Sequence, residues 1–267
     1  MIYLNRVSLP ADRPDGWPFS VPALQSLDSL TFDSPITLLA GENGCGKSTL
    51  LEALAVKMAL PAIGRTDAGR DDSLKPLRPL AKQMKLSFAH RPINRLFLRS
   101  EDFFNFTLAL SRERDDMGRE LARVEEEYAD RSMLARELAR QPFTGSLQAM
   151  RGRYGEDMLG AASHGESFLR LFQQRLVPNG LYLLDEPEAP LSALRQLSLY
   201  SILKELSTEG GCQFLIATHS PILLAMEGAT VYDLDQCPPA QTQWQELAGV
   251  SLLRSFLNRP DDYTRRL

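Results

Sequence analysis

Three short runs along the chain are apolar almost throughout: Ile36–Ala40, Leu181–Leu184 and Gln213–Ala217. Such runs predict strands buried on both faces, as in a parallel sheet. Between and after them come longer stretches with helical patterning. Lys47–Leu60 is rich in Leu and Ala and stops at Pro61, and Glu166–Leu176 and Pro190–Ser207 read as helices. Gln243–Leu257 reads as a short amphipathic one. Residues 1–9 predict a strand, and the Pro- and Asp-punctuated segment 10–35 predicts a hairpin. Residues 61–85 read as loop, followed by strands near 85–89 and 95–99. Strands alternating with helices predict an α/β fold: a mostly parallel sheet with an N-terminal antiparallel β portion.

From Thr107 to Arg140 the chain is highly charged and helical. Met117, Leu121, Val124 and Tyr128 recur at 4-3-4 spacing, with Ala135 and Leu138 continuing the seam. That is fewer than the heptads a free coiled coil needs, so a helix packed on its neighbour is expected, in a helical subdomain inserted into the sheet domain. The 267 residues carry 43% hydrophobic and 24% charged side chains and no internal repeat, which excludes a disordered or fibrous chain. A net charge of −4 excludes a globally basic nucleic-acid coat. Apolar runs are too short for a membrane span, and the N-terminus reads as a strand and not as a signal peptide. Cys45, Cys212 and Cys237 are odd in number and lack metal-like spacing, so a reducing, cytoplasmic setting without disulfides is expected.

The chemistry concentrates at Gly41-Glu42-Asn43-Gly44-Cys45-Gly46-Lys47-Ser48-Thr49, which satisfies G-x-x-x-x-G-K-[ST] between an apolar strand and a helix. Glycines let the backbone curl with its N–H groups inward around a phosphate, and the helix N-terminus adds partial positive charge. Lys47 would bridge the β- and γ-phosphates, and the Ser48 hydroxyl would ligate Mg²⁺. Leu181–Leu184 then delivers Asp185 and Glu186 to the carboxyl edge of the sheet, where ligands of α/β folds sit. Asp185 would hold Mg²⁺ through water, and Glu186 would act as general base on the attacking water. His219, in Ala217-Thr218-His219-Ser220, closes the next strand within reach of a γ-phosphate.

The order of P-loop, Ser163-His164-Gly165-Glu166, Asp185-Glu186-Pro187 and His219 resembles the ATP-binding-cassette (ABC) ATPases over nearly the whole chain. The resemblance implies ATP and Mg²⁺ as ligands and a homodimer that forms on ATP binding. One protomer's signature, Ser163, Gly165 and Glu166, would cap the γ-phosphate held by the other's P-loop. It also implies that Ala189–Ser192 crosses the dimer interface and that His219 senses the γ-phosphate. The polar residue joining core to insert, glutamine in most members, falls near Ser100–Glu101, so Glu101 is assigned there as a metal-side oxygen. The domain expectation is a single ATPase, with 1–104 and 166–267 as nucleotide-binding core and 105–165 as an insert ending in the signature.

The chain departs from transporter cassettes at the signature, Ser163-His164-Gly165-Glu166, and in the crossing loop, Leu191-Ser192, and its run Asp185-Glu186-Pro187-Glu188-Ala189-Pro190-Leu191-Ser192, with Glu188 after the proline, is more like that of soluble SMC-, RecF- and OLD-type ATPases. About 30 residues follow Leu234, fewer than a nuclease domain needs, so none is expected. The implied role is a switch in DNA maintenance or defence. The alternatives are the ATP-hydrolysing subunit of a transporter, or a nucleotide-gated regulator of a protein partner. Trp17 and Phe19 either stack adenine, as the resemblance implies, or pack the hairpin. Arg65, Arg70, Lys75, Arg78, Lys82, Lys85, Arg91, Arg95 and Arg99, against Asp67, Asp71 and Asp72, make a basic stretch that could track a phosphate backbone or lie solvated.

Overall fold

The computed structural model describes residues 1–62, 67–154 and 164–265. In chain order the strands are β1 (Leu4–Ser8), β2 (Ser29–Thr31), β3 (Ile36–Ala40), β4 (Lys85–Phe88), β5 (Asn94–Arg99), β6 (Gly180–Asp185), β7 (Gln213–Ala217), β8 (Thr230–Asp233) and β9 (Ala240–Thr242). The helices are α1 (Pro22–Ser26), α2 (Lys47–Met58), α3 (Arg78–Gln83), α4 (Ser100–Glu127) and α5 (Met133–Tyr154). After these come α6 (His164–Arg175), α7 (Ala193–Thr208), α8 (Pro221–Leu224), α9 (Ala248–Asn258) and α10 (Pro260–Thr264).

Six strands form one sheet in the order β5-β6-β7-β3-β8-β9, parallel except for the edge strand β9. β3, β6 and β7 are buried at every residue, as their unbroken apolar runs require. Successive side chains divide between two cores. Leu39, Leu183 and Leu215 face α2 and the N-terminal strands, and Leu38, Leu184 and Ile216 face the α6 and α7 side. A second sheet, β2-β1-β4, is antiparallel. Gln213 joins the two. Its buried carbonyl accepts the Tyr3 and Leu4 N–H groups at 2.8 and 2.9 Å, and its amide donates to the Leu4 carbonyl at 2.7 Å. Those bonds engage two N–H groups and one carbonyl at the start of β1.

Two local expectations change. Residues 72–83, read as loop, form a 3₁₀ turn (Asp72–Leu77) running into α3, because the Asp71 carboxylate accepts the Ser73 N–H and caps the turn. The seam at 117–138 is not one helix. The chain breaks between Glu127 and Met133, so α4 and α5 pack against each other as a hairpin, and Leu138 is exposed. Leu110 and Met150 close the hairpin's apolar contact, with Phe106 and Met117 against them, and Arg140 pairs with Glu125 across it. α4 begins at Ser100, directly from β5, and its 28 residues span about 42 Å.

Candidate nucleotide site

The carboxyl ends of β3, β6 and β7 meet at one edge, and the P-loop hangs over it. Three of its glycines take positive φ: Gly41 at 139°, Gly44 at 84° and Gly46 at 113°. Gly46 is the residue before α2, and a Cβ there would stand 2.6 Å from a Val21 methyl. Only glycine meets both constraints. The loop is held from outside by Asp235, whose two carboxylate oxygens lie 2.9 Å from the Glu42 N–H. Lys47 is buried at the first turn of α2, and its ammonium donates to the Gly41 and Glu42 carbonyls at 2.8 and 2.9 Å. Cys45 is half-buried, and burial raises its thiol pKa although Lys47 opposes this. Asn43 is exposed, Ser48 and Thr49 half-buried.

The Ser48 hydroxyl donates to Asp185 Oδ1 at 2.9 Å. A hydroxyl and a carboxylate side by side at a strand end form a hard-oxygen donor set of the kind Mg²⁺ selects. Burial pushes the Asp185 carboxyl up to about 7; the Ser48 hydrogen bond opposes that, and Glu52 and Glu186 add to it. A carboxylate so reluctant to ionise alone suits a site that a cation completes.

Glu186 sits at φ 48°, a left-handed backbone that carries a non-glycine cost. Its N–H still bonds the Ala217 carbonyl at 2.9 Å, so the chain turns abruptly off β6. The side chain is 44% exposed, and its Oε1 lies 3.6 Å from His219 Nε2. Asp185 and Glu186 are thus divided by a single backbone turn into an inward and an outward carboxylate. The structure brings Lys47, Ser48, Asp185, Glu186 and His219 together.

Other expected residues fare differently. Glu101 is exposed on the first turn of α4, and the Ser100 hydroxyl instead donates to the Asp185 and Glu186 carbonyls. Ser163 lies outside the described residues. Gly165 falls in the first turn of α6, and Glu166, exposed, pairs with Arg170 and Arg195. Trp17 is exposed, but Phe19 is buried in the N-terminal core and cannot stack a base.

The basic stretch is not one surface. Arg65 lies outside the described residues. Arg99 is buried, bonded to Asp102 at 2.9 Å, Glu52 at 3.1 Å and Asp71 at 3.2 Å. Burial alone would pull the Arg99 guanidinium down, but Asp102 and Glu52 overcome it and hold it above its ordinary value. Arg99 stands in register with Asp185 on the neighbouring strand, so this cluster links α2, β5 and α4 beside the site. Nothing in the charge pattern of the sequence marks Arg99 as different from its basic neighbours. Glu188 is a second residue whose place the motif did not convey. It is buried, and a single oxygen of its carboxylate gathers Thr218, His219 and Ser220.

A phosphate-cradling loop, its lysine, and a serine–aspartate pair at the carboxyl edge of a parallel sheet define a P-loop nucleotide triphosphatase. A family profile described as "AAA domain" matches residues 23–60, and one described as "AAA domain, putative AbiEii toxin, Type IV TA system" matches residues 167–225. The chain is 32% identical to the thiamine import ATP-binding protein ThiQ of Cereibacter sphaeroides over 183 residues, 68% of this chain and 69% of that one. It is 35% identical over 69 residues to the DNA repair protein RAD50 of Drosophila melanogaster, 24% of this chain and 5% of that one. Among solved structures, a nucleotide-free ATP-binding cassette from an ABC transporter aligns at TM-score 0.46 and 16% identity, over 100% of this chain and 99% of that one. The chain belongs to the ABC-type P-loop ATPases.

Proposed function

We propose that this ATPase works as an ATP-gated homodimer in the cytoplasm, its closing and opening transmitted through the α4–α5 hairpin, and that it serves DNA maintenance or defence. The observation that carries the catalytic part is the geometry at the end of β6. The Asp185 carboxylate is hydrogen-bonded to Ser48, and the Glu186 carboxylate lies 3.6 Å from His219.

In this reading Lys47 and the loop N–H groups balance the triphosphate charge. Ser48 and Asp185 would hold Mg²⁺, which would supply positive charge to offset that of the phosphates. Glu186 orients a water and takes its proton as the water oxygen bonds to the γ-phosphorus. The bond from phosphorus to the β–γ bridging oxygen breaks, and its electrons leave with ADP. His219 steadies the γ-phosphate beside Glu186. The signature at Ser163 and Gly165, and Glu166 beside it, act on the partner's nucleotide. The core and insert divide near residues 105 and 165.

The switch role is supported by the direct run of β5 into a hairpin about 42 Å long, lined with charged pairs and rooted beside the site at Arg99 and Ser100. The RAD50 stretch and the toxin-system profile point the same way. The likeness to a thiamine import subunit supports a second reading, an ATP-hydrolysing subunit of an importer. Among the described residues no helix is long and apolar enough to cross a membrane.

Glu186→Gln separates the outcomes. It should bind ATP with wild-type affinity, lose turnover, and sediment as a dimer with Mg²⁺ and ATP. Wild-type hydrolysis by this variant rejects Glu186 as base. Salt-sensitive retention of the ATP-locked dimer on DNA favours the first biological role, and co-purification with a membrane subunit favours the second.

A further inference from the structure

Asp185, Glu186 and Glu188 place three carboxylates within four residues at the end of β6, and the third has no part in the phosphate chemistry above. Glu188 is 8% exposed. Its Oε1 accepts the Thr218 hydroxyl at 2.6 Å, the His219 N–H at 2.7 Å and the Ser220 N–H at 3.1 Å, while its Oε2 has no partner among the described residues. Thr218 and Ser220 are themselves buried. Three donors converging on one oxygen of a buried carboxylate fix the backbone on both sides of His219 more firmly than loop hydrogen bonds could.

The same two loops are strapped a second time. The Ser220 hydroxyl donates to Gln196 Oε1 at 2.7 Å, and the Gln196 amide donates to the Leu191 carbonyl at 3.1 Å. Leu191 in turn donates its N–H to the Glu188 carbonyl at 2.8 Å. The segment 188–191 is therefore tied to 218–220 twice, directly through Glu188 and through Gln196 on α7.

We infer that Glu188 is a positioning residue for ATP hydrolysis, holding His219 beside Glu186 and binding that placement to the loop at 189–191. This rests on the roles given to Glu186 and His219 above. A carboxyl oxygen is suited to the task because it accepts the Thr218 hydroxyl and two successive N–H groups at once, the second of which, Ser220 N–H, it shares with the Thr218 hydroxyl oxygen at 3.0 Å. The exposed imidazole then carries little of its own anchoring. Its ring is 38% exposed, and its reach to Glu186 is set from the backbone beneath it.

The experiment measures ATP affinity, phosphate release and thermal unfolding for Glu188→Ala, Glu188→Gln, Thr218→Val and His219→Ala in the full chain. Glu188→Ala should lower turnover about 100-fold, the loss expected when a reacting group is displaced by about an ångström. Its nucleotide dissociation constant should stay within a factor of about three, because Lys47 and the loop amides are untouched. Glu188→Gln keeps an acceptor for the three donors and should recover most of the turnover. Thr218→Val removes one donor and should fall between, and it carries the test should Glu188→Ala not fold. Wild-type turnover in Glu188→Ala or Thr218→Val overturns the inference. So does a loss of affinity equal to the loss of turnover without rescue by Glu188→Gln. If His219→Ala loses turnover while Glu188→Ala keeps it, only the Glu188 role fails. If His219→Ala keeps wild-type turnover, the His219 reading fails beneath it.

Discussion

Replacing Asp185 by Asn should stabilise the nucleotide-free protein while abolishing ATP turnover, and the stabilisation should grow with pH. The carboxyl has an ordinary value of 3.8 and is pushed up to about 7 in the fold, chiefly by burial. Between those values the folded state holds a proton that the unfolded chain has released. Stability contributed by this group is therefore complete below pH 3.8 and is lost as pH rises to about 7. At about 1.36 kcal/mol per pH unit the whole loss is about 4 kcal/mol, of which about 3 kcal/mol falls between pH 5 and pH 8. Asn has the same shape, still accepts the Ser48 hydroxyl, and does not ionise. Subtracting wild-type from Asp185→Asn stability at each pH cancels the other titrating groups. Urea unfolding of both proteins at pH 5 and pH 8, without nucleotide, gives the difference directly. The gap should widen by about 3 kcal/mol at the higher pH. Saturating magnesium nucleotide should then favour wild type, since only it gains the full linkage stabilisation. A gap that stays the same at both pH values refutes the claim that Asp185 is held protonated by its surroundings.

Gly46→Ala must place a Cβ 2.6 Å from Val21 at a φ of 113°, and should cost about 2–4 kcal/mol in urea unfolding and weaken ATP binding. Gly118→Ala, on α4 with open space around it, should instead be neutral or gain up to about 1 kcal/mol by the same measurement. Arg99→Met leaves Asp102, Glu52 and Asp71 without their shared guanidinium and should cost about 3–5 kcal/mol, partly restored at acidic pH. A loss under 1 kcal/mol at pH 8 would show that the cluster is solvated in solution.

The central strands and the P-loop were legible because each rests on a strictly local constraint. Ile36–Ala40 can only be a buried strand, and Gly41, Gly44 and Gly46 are the residues that a loop with positive φ demands. Asp185 and His219 followed from their places at the ends of such strands. Residues 72–83 and the α4–α5 break were harder to read. The first depends on one side-chain cap at Asp71. The second depends on a turn at 128–132 that lacks the glycine and proline by which turns are usually found.

Charge was the least legible quantity, because sequence gives its sign and not its burial. Arg99 reads as one of nine basic residues available to a phosphate backbone, yet three carboxylates from α2, the 71–73 turn and α4 enclose it. Glu188 reads as a mark of subfamily, yet it is turned inward on the loop that carries His219. Both lie at strand ends within a few residues of the P-loop's partners, where the backbone must leave the sheet and its N–H groups need acceptors. A buried ion is tolerated there only if several partners share it. Such partners come from distant elements: Glu188 and Thr218 are 30 residues apart, and Arg99 and Glu52 are 47 apart. A local motif can name the carboxylate that faces solvent, as it did Glu186. The carboxylate and guanidinium that hold the site from behind are defined only by what the fold closes around them.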